Sequence, residues 1–245
     1  MSSRGIMEKD IYVWGKQEIE DVRSNIHKVN IKGTAVEVIG ENKKDVDIDH
    51  KAIVFHIGDG YLVGVTHALV PPSTVKYRSG GFIFYVARTK IDYKAYIDDR
   101  VLEYVGSHDD ITLLRDKNMI GKAGLKVDYK NEYLYVGKRI GIYGFSGAQC
   151  FNFKEGLVSN LDKKTWKEVS EDTEGGLLVY MVSTPVNPGD SGAPVLTRDN
   201  EGNIIVVGVT QGFILMGNSM AFAILPSSLK VALDDIMYSP TEEEE

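Results

Sequence analysis

TPVNPGDSGAPV, residues 184–195, places a serine between glycines on a turn that leads into an apolar strand. Gly189 and Gly192 lack a Cβ, so the backbone on either side of Ser191 can adopt angles that cost other residues energy. Such angles let the N–H groups of Gly189 and Ser191 point together at a developing oxyanion. GDSG alone also forms an ordinary hairpin turn. The stretch therefore indicates chemistry only if the rest of the chain supplies partners for the serine.

A nucleophilic serine needs a base, and the chain has five histidines. His67 follows the apolar stretch GYLVGVT, where the chain leaves a strand and can present the imidazole at the rim of a sheet. His56 lies inside a strand pattern, where a histidine is usually a hydrogen-bonded core or surface residue. The same interpretation applies to the remaining histidines, His27, His50 and His108. The predicted base is therefore His67.

A third group must orient the imidazole and stabilise its charged form, which calls for a carboxylate beside the sheet. The stretch HDDITLLR, residues 108–115, offers two. Asp110 directly precedes the apolar run ITLL, whereas Asp109 points the opposite way on an extended backbone. The pattern favours Asp110. By itself, the stretch would be interpreted as a strand flanked by solvated acids.

Together these segments resemble those of the chymotrypsin-like serine proteases, in that family's order along the chain. GYLVGVTHAL is similar to the family's histidine segment, DITLL to its aspartate segment and GDSGAPV to its serine segment. The resemblance covers roughly residues 30–236 and is strongest to HtrA-like and viral 3C-like members that lack disulfides. It implies a catalytic triad of His67, Asp110 and Ser191, and an oxyanion hole formed by the N–H groups of Gly189 and Ser191.

The resemblance also implies how a polypeptide substrate would bind. An extended peptide would add to the strand edge formed by Gln211, Gly212 and Phe213, because main-chain pairing accepts many sequences. The specificity pocket would be lined by Thr184, Pro185 and Thr210. No acidic residue stands where a trypsin-like preference needs one. The segment GVTQGF also lacks the pocket histidine of viral enzymes selective for Gln or Glu.

Family members that are activated by cleavage bury a new N-terminus against the aspartate that precedes the serine, here Asp190. The chain has no IVGG-like sequence from which such a terminus would begin. Asp190 therefore needs another partner or a position near solvent, and we expect a constitutively folded site.

Short β-branched and aromatic runs alternate with Gly, Asp and Asn turns through both halves, which is typical of a barrel or sandwich. With the resemblance, the pattern predicts an all-β fold of two six-stranded antiparallel barrels and a C-terminal α-helix. Asp59-Gly60 and the segment DNEGN at 199–203 predict tight hairpins. Ser227 or Ser228 is available as the helix N-cap, before an apolar face formed by Leu229, Ala232, Leu233 and Ile236.

The predicted organisation has four parts. An N-terminal arm, residues 1–30, precedes a first barrel at 31–125 that carries His67 and Asp110. A second barrel with the C-terminal helix, residues 126–238, carries Ser191, and an acidic tail follows at 239–245.

Composition narrows the class of protein further. A single cysteine, Cys150, excludes an intramolecular disulfide and a Cys-based zinc site, and we interpret it as a structural thiol. The cytoplasm or another reducing compartment is therefore expected, the host cytoplasm if the protein is viral. The net charge of −7 argues against nucleic-acid binding. We expect no membrane span, no secretory signal, no cofactor and no metal.

The prediction is a serine endopeptidase acting through an acyl-enzyme, and a viral polyprotein-processing enzyme and a stand-alone bacterial protease both fit it. A non-catalytic binding module on a protease fold, acting through its surface or its acidic tail, stays open. An α/β-hydrolase needs a histidine after its nucleophile, whereas the last histidine here is His108. A subtilisin-like set of Asp59, His67 and Ser191 would need parallel βαβ patterning, which the middle of the chain does not have.

Overall fold

The computed structural model describes residues 14–79, 81–145, 151–165, 168, 176–214 and 220–238. The α-helices within these residues are α1 (Lys16–Arg23), α2 (Thr66–Leu69) and α3 (Pro226–Tyr238). The strands of the first half are β1 (Ile26–Ile39), β2 (Asn42–Gly58), β3 (Tyr61–Val65), β4 (Thr74–Ser79), β5 (Phe82–Ile97), β6 (Arg100–Val101), β7 (Glu103–His108) and β8 (Ile111–Arg115). The strands of the second half are β9 (Arg139–Gly144), β10 (Asn152–Thr165), β11 (Leu178–Val182), β12 (Pro194–Arg198), β13 (Ile204–Ile214) and β14 (Met220–Ile224).

The second half forms a closed six-stranded barrel in the order β10-β11-β14-β13-β12-β9. All its strand pairs are antiparallel, as predicted. Closure leaves no free sheet edge along most of the barrel, so its β-branched residues can face a common interior. The largest fully buried side chains of this half are Tyr180, Ile140, Ile142, Leu196 and Ile205.

The first half departs from the six strands expected. It is an eight-stranded antiparallel sheet in the order β4-β5-β1-β2-β3-β8-β7, with β6 added to β5. Among the residues that the structure describes, no hydrogen-bonded pair joins β4 to β7. Strands β4, β6 and β7 are short or polar, so they lack the apolar runs from which the other strands were predicted.

Both predicted hairpins form. Asp59 and Gly60 connect β2 to β3 with φ angles of 50° and 82°, which a two-residue hairpin turn requires. At Gly60 an added Cβ would lie 2.6 Å from the carbonyl oxygen of Asp116, so glycine is needed for space as well as for angle. The turn between β12 and β13 has Gly202 at φ 89°.

The N-terminal arm contains regular structure, since its polar stretch EIEDVRSNIHK, for which the sequence left a short helix or an arm open, overlaps helix α1. Helix α1 packs on the second half, where Arg198 Nη2 donates to Glu18 Oε2 at 2.6 Å and the Trp14 ring contacts Phe153 edge-on at 5.0 Å. Strand β1 starts at Ile26, before the predicted barrel start at residue 31. Polar residues such as His27 alternate with the buried positions of this strand, so its first residues do not form an apolar run. The arm's residues 1–13, the acidic tail 239–245 and Cys150 lie outside the described residues.

Helix α3 closes the chain, as predicted, but it starts at Pro226 and has no serine N-cap. The fixed φ of proline suits the first helical position, whose N–H needs no partner in the helix. Ser228 instead accepts the N–H of Leu178 at 3.1 Å. The helix buries Leu229, Ala232 and Leu233 and touches the first half, where a Cβ on Gly106 would lie 2.8 Å from Ile236. The predicted boundary near residue 125 falls between β8 and β9.

His56, interpreted from the sequence as a hydrogen-bonded core or surface histidine, lies in the core. His56 is fully buried, and its Nε2 accepts the N–H of Gly60 at 3.1 Å. Burial lowers the pKa of His56 below its ordinary value of 6.5. Burial and the nearby His56 likewise lower the pKa of His27. Both rings are therefore folded in their neutral form.

These neutral histidines make stability depend on pH. As the pH falls below about 6.5, these histidines bind protons in the unfolded chain that they do not bind in the folded chain, so the free energy of unfolding decreases. His56→Gln, which keeps an acceptor for Gly60, should flatten this decrease by up to about 1.4 kcal/mol per pH unit. Urea unfolding between pH 7.5 and 5.5 measures the slope. Equal slopes for His56→Gln and the wild type would contradict the prediction.

Candidate active site

Residue 67 lies on a single helical turn that follows strand β3. The Val70 N–H donates to the Thr66 carbonyl at 2.8 Å and closes the turn of α2. The hydroxyls of Thr66 and Thr112 lie 3.0 Å apart, and Thr112 is within 2.6 Å of the Ser107 hydroxyl. This chain of hydroxyls attaches α2 to strands β7 and β8. The His67 side chain is consequently fixed at the sheet rim while 43% of its surface stays exposed.

Asp110 contacts His67 twice. Its Oδ1 accepts the main-chain N–H of His67 at 2.8 Å, and its Oδ2 lies 2.7 Å from His67 Nδ1. A carboxylate only accepts, so Nδ1 is the donor of this bond, and in the neutral ring the lone pair lies on Nε2. Asp109 lies at φ 49° and turns away, and its Oδ2 accepts the N–H of Gly176 at 3.3 Å. Of the two candidate carboxylates, Asp110 is the one that contacts the imidazole.

A residue of the second half also reaches Asp110. Gln211, on β13, is 1% exposed and donates its side-chain amide N–H to Asp110 Oδ2. The sequence analysis assigned Gln211 to the substrate edge, so its side-chain role was missed. Three donors from two halves of the chain thus converge on one carboxylate.

The serine turn has two unused main-chain donors. Its flanking N–H groups are occupied: Asp190 donates to the Asn187 carbonyl at 3.0 Å, and Gly192 donates to the Thr210 carbonyl at 2.8 Å. Within the described parts of the chain, the N–H groups of Gly189 and Ser191 donate no hydrogen bond. Gly189 and Gly192 have φ angles of 98° and 88°, which only glycine adopts easily. The two residues predicted to bind an oxyanion are those whose donors are available.

The Ser191 hydroxyl donates to the main-chain oxygen of Gln211 at 3.3 Å. No hydrogen bond joins it to His67 among the residues described.

Close backbone packing brings the serine turn to the first half. An added Cβ on Gly192 would lie 2.6 Å from the carbonyl oxygen of Ile53 and 3.5 Å from the N atom of Val65. Val65 directly precedes the helix that carries His67. The glycine after the serine therefore lets the two halves approach at the point where the candidate residues meet.

Asp190, for which the sequence analysis had no partner, is ion-paired with Lys154 of strand β10. Asp190 is fully buried, and the Lys154 side chain is 12% exposed. The same carboxylate Oδ2 accepts the Asn187 N–H at 2.8 Å and so closes the turn before Ser191. Gly144 makes room for it, because a Cβ there would lie 2.1 Å from Asp190 Oδ1.

The predicted substrate edge lies on β13. Gly212 and Phe213 pair with Phe222 and Ala221 of β14 on one side. On the other side, pairing with β12 ends at Val209 in the described part of the chain. Residues after Thr210 therefore present a strand edge beside the serine turn.

The residues predicted to line the specificity pocket differ in solvent exposure. Thr184 and Thr210 are fully buried, and neither side-chain hydroxyl has a hydrogen-bond partner among the described residues. Pro185 is exposed. Thr210 contacts the serine turn, since its N–H donates to the Ala193 carbonyl at 2.8 Å. Their role in side-chain selection stays a prediction.

No protein-family model matches the chain, and no curated protein matches it. Solved structures do. The active form of the Rv3671c protease from M. tuberculosis superimposes with a TM-score of 0.60 at 16% identity, covering 89% of this chain and 83% of that one. The chain has the chymotrypsin-like fold, as predicted.

Two further structures support this assignment. The serine endoprotease from Yersinia pestis matches with a TM-score of 0.55 at 13% identity, over 86% of this chain and 63% of that one. The HtrA-type protease AlgW, solved with a decapeptide, matches with a TM-score of 0.57 at 15% identity, over 89% and 67%. At these sequence identities the structural similarity shows the fold alone.

Removing the cation beside Asp190 tests how the serine turn is held. Lys154→Met should lower the free energy of unfolding by about 3–5 kcal/mol, because it leaves a buried carboxylate without its counter-charge. Adding Asp190→Asn should restore a large part of the loss. Chemical denaturation measures both variants.

The matched control is Arg139→Met on the neighbouring strand. Arg139 pairs with Glu155 at 3.4 Å, but both side chains are about 40% exposed. This loss should stay below about 1 kcal/mol. A Lys154→Met variant no less stable than Arg139→Met would show that the buried pair does not hold the turn.

Proposed function

We propose that the chain is a serine endopeptidase with His67, Asp110 and Ser191 as its catalytic residues. The observation that carries the proposal is the Asp110–His67 contact, which orients the imidazole so that Nε2 is the lone-pair nitrogen of the neutral ring. Gln211 joins this pair to the serine turn, because its side chain donates to Asp110 and its main-chain oxygen accepts from the Ser191 hydroxyl. The available N–H groups of Gly189 and Ser191 would bind an anion. The open edge of β13 would bind a peptide.

In the proposed reaction, the Ser191 hydroxyl turns from the Gln211 carbonyl to His67. Nε2 takes the hydroxyl proton as the oxygen attacks the scissile carbonyl, and Asp110 stabilises the imidazolium that forms. The N–H groups of Gly189 and Ser191 would bind the negative oxygen of the tetrahedral intermediate. The imidazolium then protonates the leaving amine, and water hydrolyses the acyl-enzyme by the same route.

The peptide would bind as an added strand along β13 beyond Thr210. Main-chain pairing there would place the scissile bond next to Ser191, since Thr210 already bonds to Gly192 and Ala193. The viral polyprotein-processing role and the stand-alone bacterial role stay predictions. Profiling cleavage on a peptide library gives the side-chain preference on which they depend.

One observation favours a second candidate function, a module that binds peptides without cleaving them. The Ser191 hydroxyl is directed at the Gln211 carbonyl, and in that arrangement it gives His67 no proton. If the hydroxyl stays there when peptide binds, the same strand edge would capture a peptide and release it intact.

Covalent labelling with a fluorophosphonate distinguishes the two candidates. The wild type should be labelled at residue 191, as located by mass spectrometry. His67→Ala should reduce the labelling rate and the kcat/KM for a cleaved peptide by about 10⁴-fold, because the base is lost. Ser73→Ala, at an exposed serine, should behave as the wild type. Absence of labelling in the folded wild type, or labelling that persists in Ser191→Ala, would contradict the enzyme proposal.

The amide of Gln211 offers a test of Asp110 orientation. Gln211→Met removes the hydrogen bond to Asp110 but keeps the main chain, and should lower kcat by about tenfold or more with a smaller change in KM. Gln211→Glu should lower kcat further, because two carboxylates would face each other at Asp110 Oδ2. Steady-state kinetics on one peptide measures the order. Equal kcat for the wild type and both variants would exclude the orienting role.

A further inference from the structure

The hairpin of β4 and β5 projects beyond the rest of the first sheet. Strand β1 pairs with β5 only as far as Val38 opposite Ala87. The residues of β5 before Ala87 have β4 as their strand partner in the described part of the chain. Residues 82–85 therefore extend roughly 13 Å past the neighbouring strand, at about 3.3 Å per residue. We call residues 74–79 and 82–87 the aromatic ribbon.

The aromatic ribbon carries large apolar side chains in contact with solvent. Phe82 is 77% exposed and Tyr85 is 67% exposed. Ile83, Phe84 and Tyr77 are also exposed, and the Tyr77 and Phe84 rings stack at 5.8 Å. Successive residues of a strand point to opposite faces, so Phe82 and Phe84 lie on one face and Ile83 and Tyr85 on the other. A contiguous exposed patch of this kind marks an interaction surface.

The charged residues of the chain segment that forms the ribbon are all basic, although the whole chain carries a net charge of −7. No acidic residue occurs between Asp59 and Asp92, whereas this stretch contains Lys76, Arg78, Arg88 and Lys90. Arg88 forms an ion pair inside the sheet, where its Nη2 lies 3.0 Å from Oε1 of the buried Glu37. Lys76, Arg78 and Lys90 have no carboxylate partner among the described residues. The Lys76 ammonium lies over the Tyr85 ring at 5.9 Å.

The base of the ribbon is firmly attached to the body. Tyr77 donates its hydroxyl to Glu37 Oε1 at 2.8 Å, and Arg88 Nε donates to the same oxygen at 3.1 Å. Val86, the first residue past the exposed segment, is buried. The ribbon is thus an anchored projection with an apolar tip and basic flanks.

We propose that the aromatic ribbon docks the protein on an anionic lipid membrane surface. A protein partner with a single flat face would cover one side of the ribbon and leave the other in water. A bilayer interface surrounds an inserted tip, so it can bury Phe82 and Tyr85 together. Lys76 and Arg78 would meet anionic headgroups, which attract basic residues near the surface. The described helices include none long and apolar enough to cross a membrane.

Vesicle co-sedimentation of the full chain tests the proposal. Vesicles of phosphatidylcholine with 30% phosphatidylserine should bind the wild type at least about tenfold more tightly than pure phosphatidylcholine vesicles, and added salt should weaken binding. The double variant Phe82→Ser and Tyr85→Ser should lose about tenfold or more. Lys76→Gln with Arg78→Gln should lose a similar factor on the anionic vesicles alone.

The control places the same changes on another exposed surface. Val231 and Tyr238 on α3 are 58% and 79% exposed, and their double substitution by Ser should leave vesicle binding unchanged. A second readout uses Phe82→Trp, whose extra emission should shift to the blue on anionic vesicles and be quenched by brominated lipid. Val231→Trp should show neither effect.

Three results would overturn the proposal. They are no binding of the wild type to anionic vesicles, unchanged binding of the Phe82 and Tyr85 double variant, and a Phe82→Trp emission unaffected by vesicles. Self-association of the wild type without vesicle binding, abolished by the double variant, would show that a second copy occupies the ribbon. None of these readouts depends on peptide cleavage, so the proposed protease function is tested separately.

Discussion

The carboxylate of Asp110 is where the two halves of the molecule are tied together at the site. It accepts two hydrogen bonds from His67 of the first sheet and one from Gln211 of the second barrel. Each half alone would leave this carboxylate partly unsatisfied, which is costly for a group only 15% exposed. The relative placement of the halves and the orientation of the imidazole therefore depend on the same few bonds.

Much of this could be predicted from the sequence because the informative residues are local. A histidine after an apolar strand, an aspartate before one and a serine between glycines each have a short-range signature. His67 and Asp110 were singled out in this way, and their side chains meet. The Asp59-Gly60 turn could also be predicted, because positive φ angles restrict the residues that can occupy such a turn.

The rest depends on contacts that sequence patterns do not encode. An inward-pointing Lys154 looks in sequence like any lysine on a strand, and only the fold brings it to Asp190. Gln211 resembles an edge residue in sequence, and only the fold brings its side chain to Asp110. Strands β4, β6 and β7 lack apolar alternation, because all three lie at the margin of the sheet and none of their residues is fully buried. Tertiary pairing formed these strands despite weak local preference.

The ion pair between Lys154 and Asp190 has a practical meaning for how this protein can be handled. The positive charge is a side chain within strand β10 and not a free amino group. A fusion partner or an affinity tag joined ahead of the first residue leaves that charge in place. The serine turn thus acquires its counter-ion during folding, with no cutting of the chain.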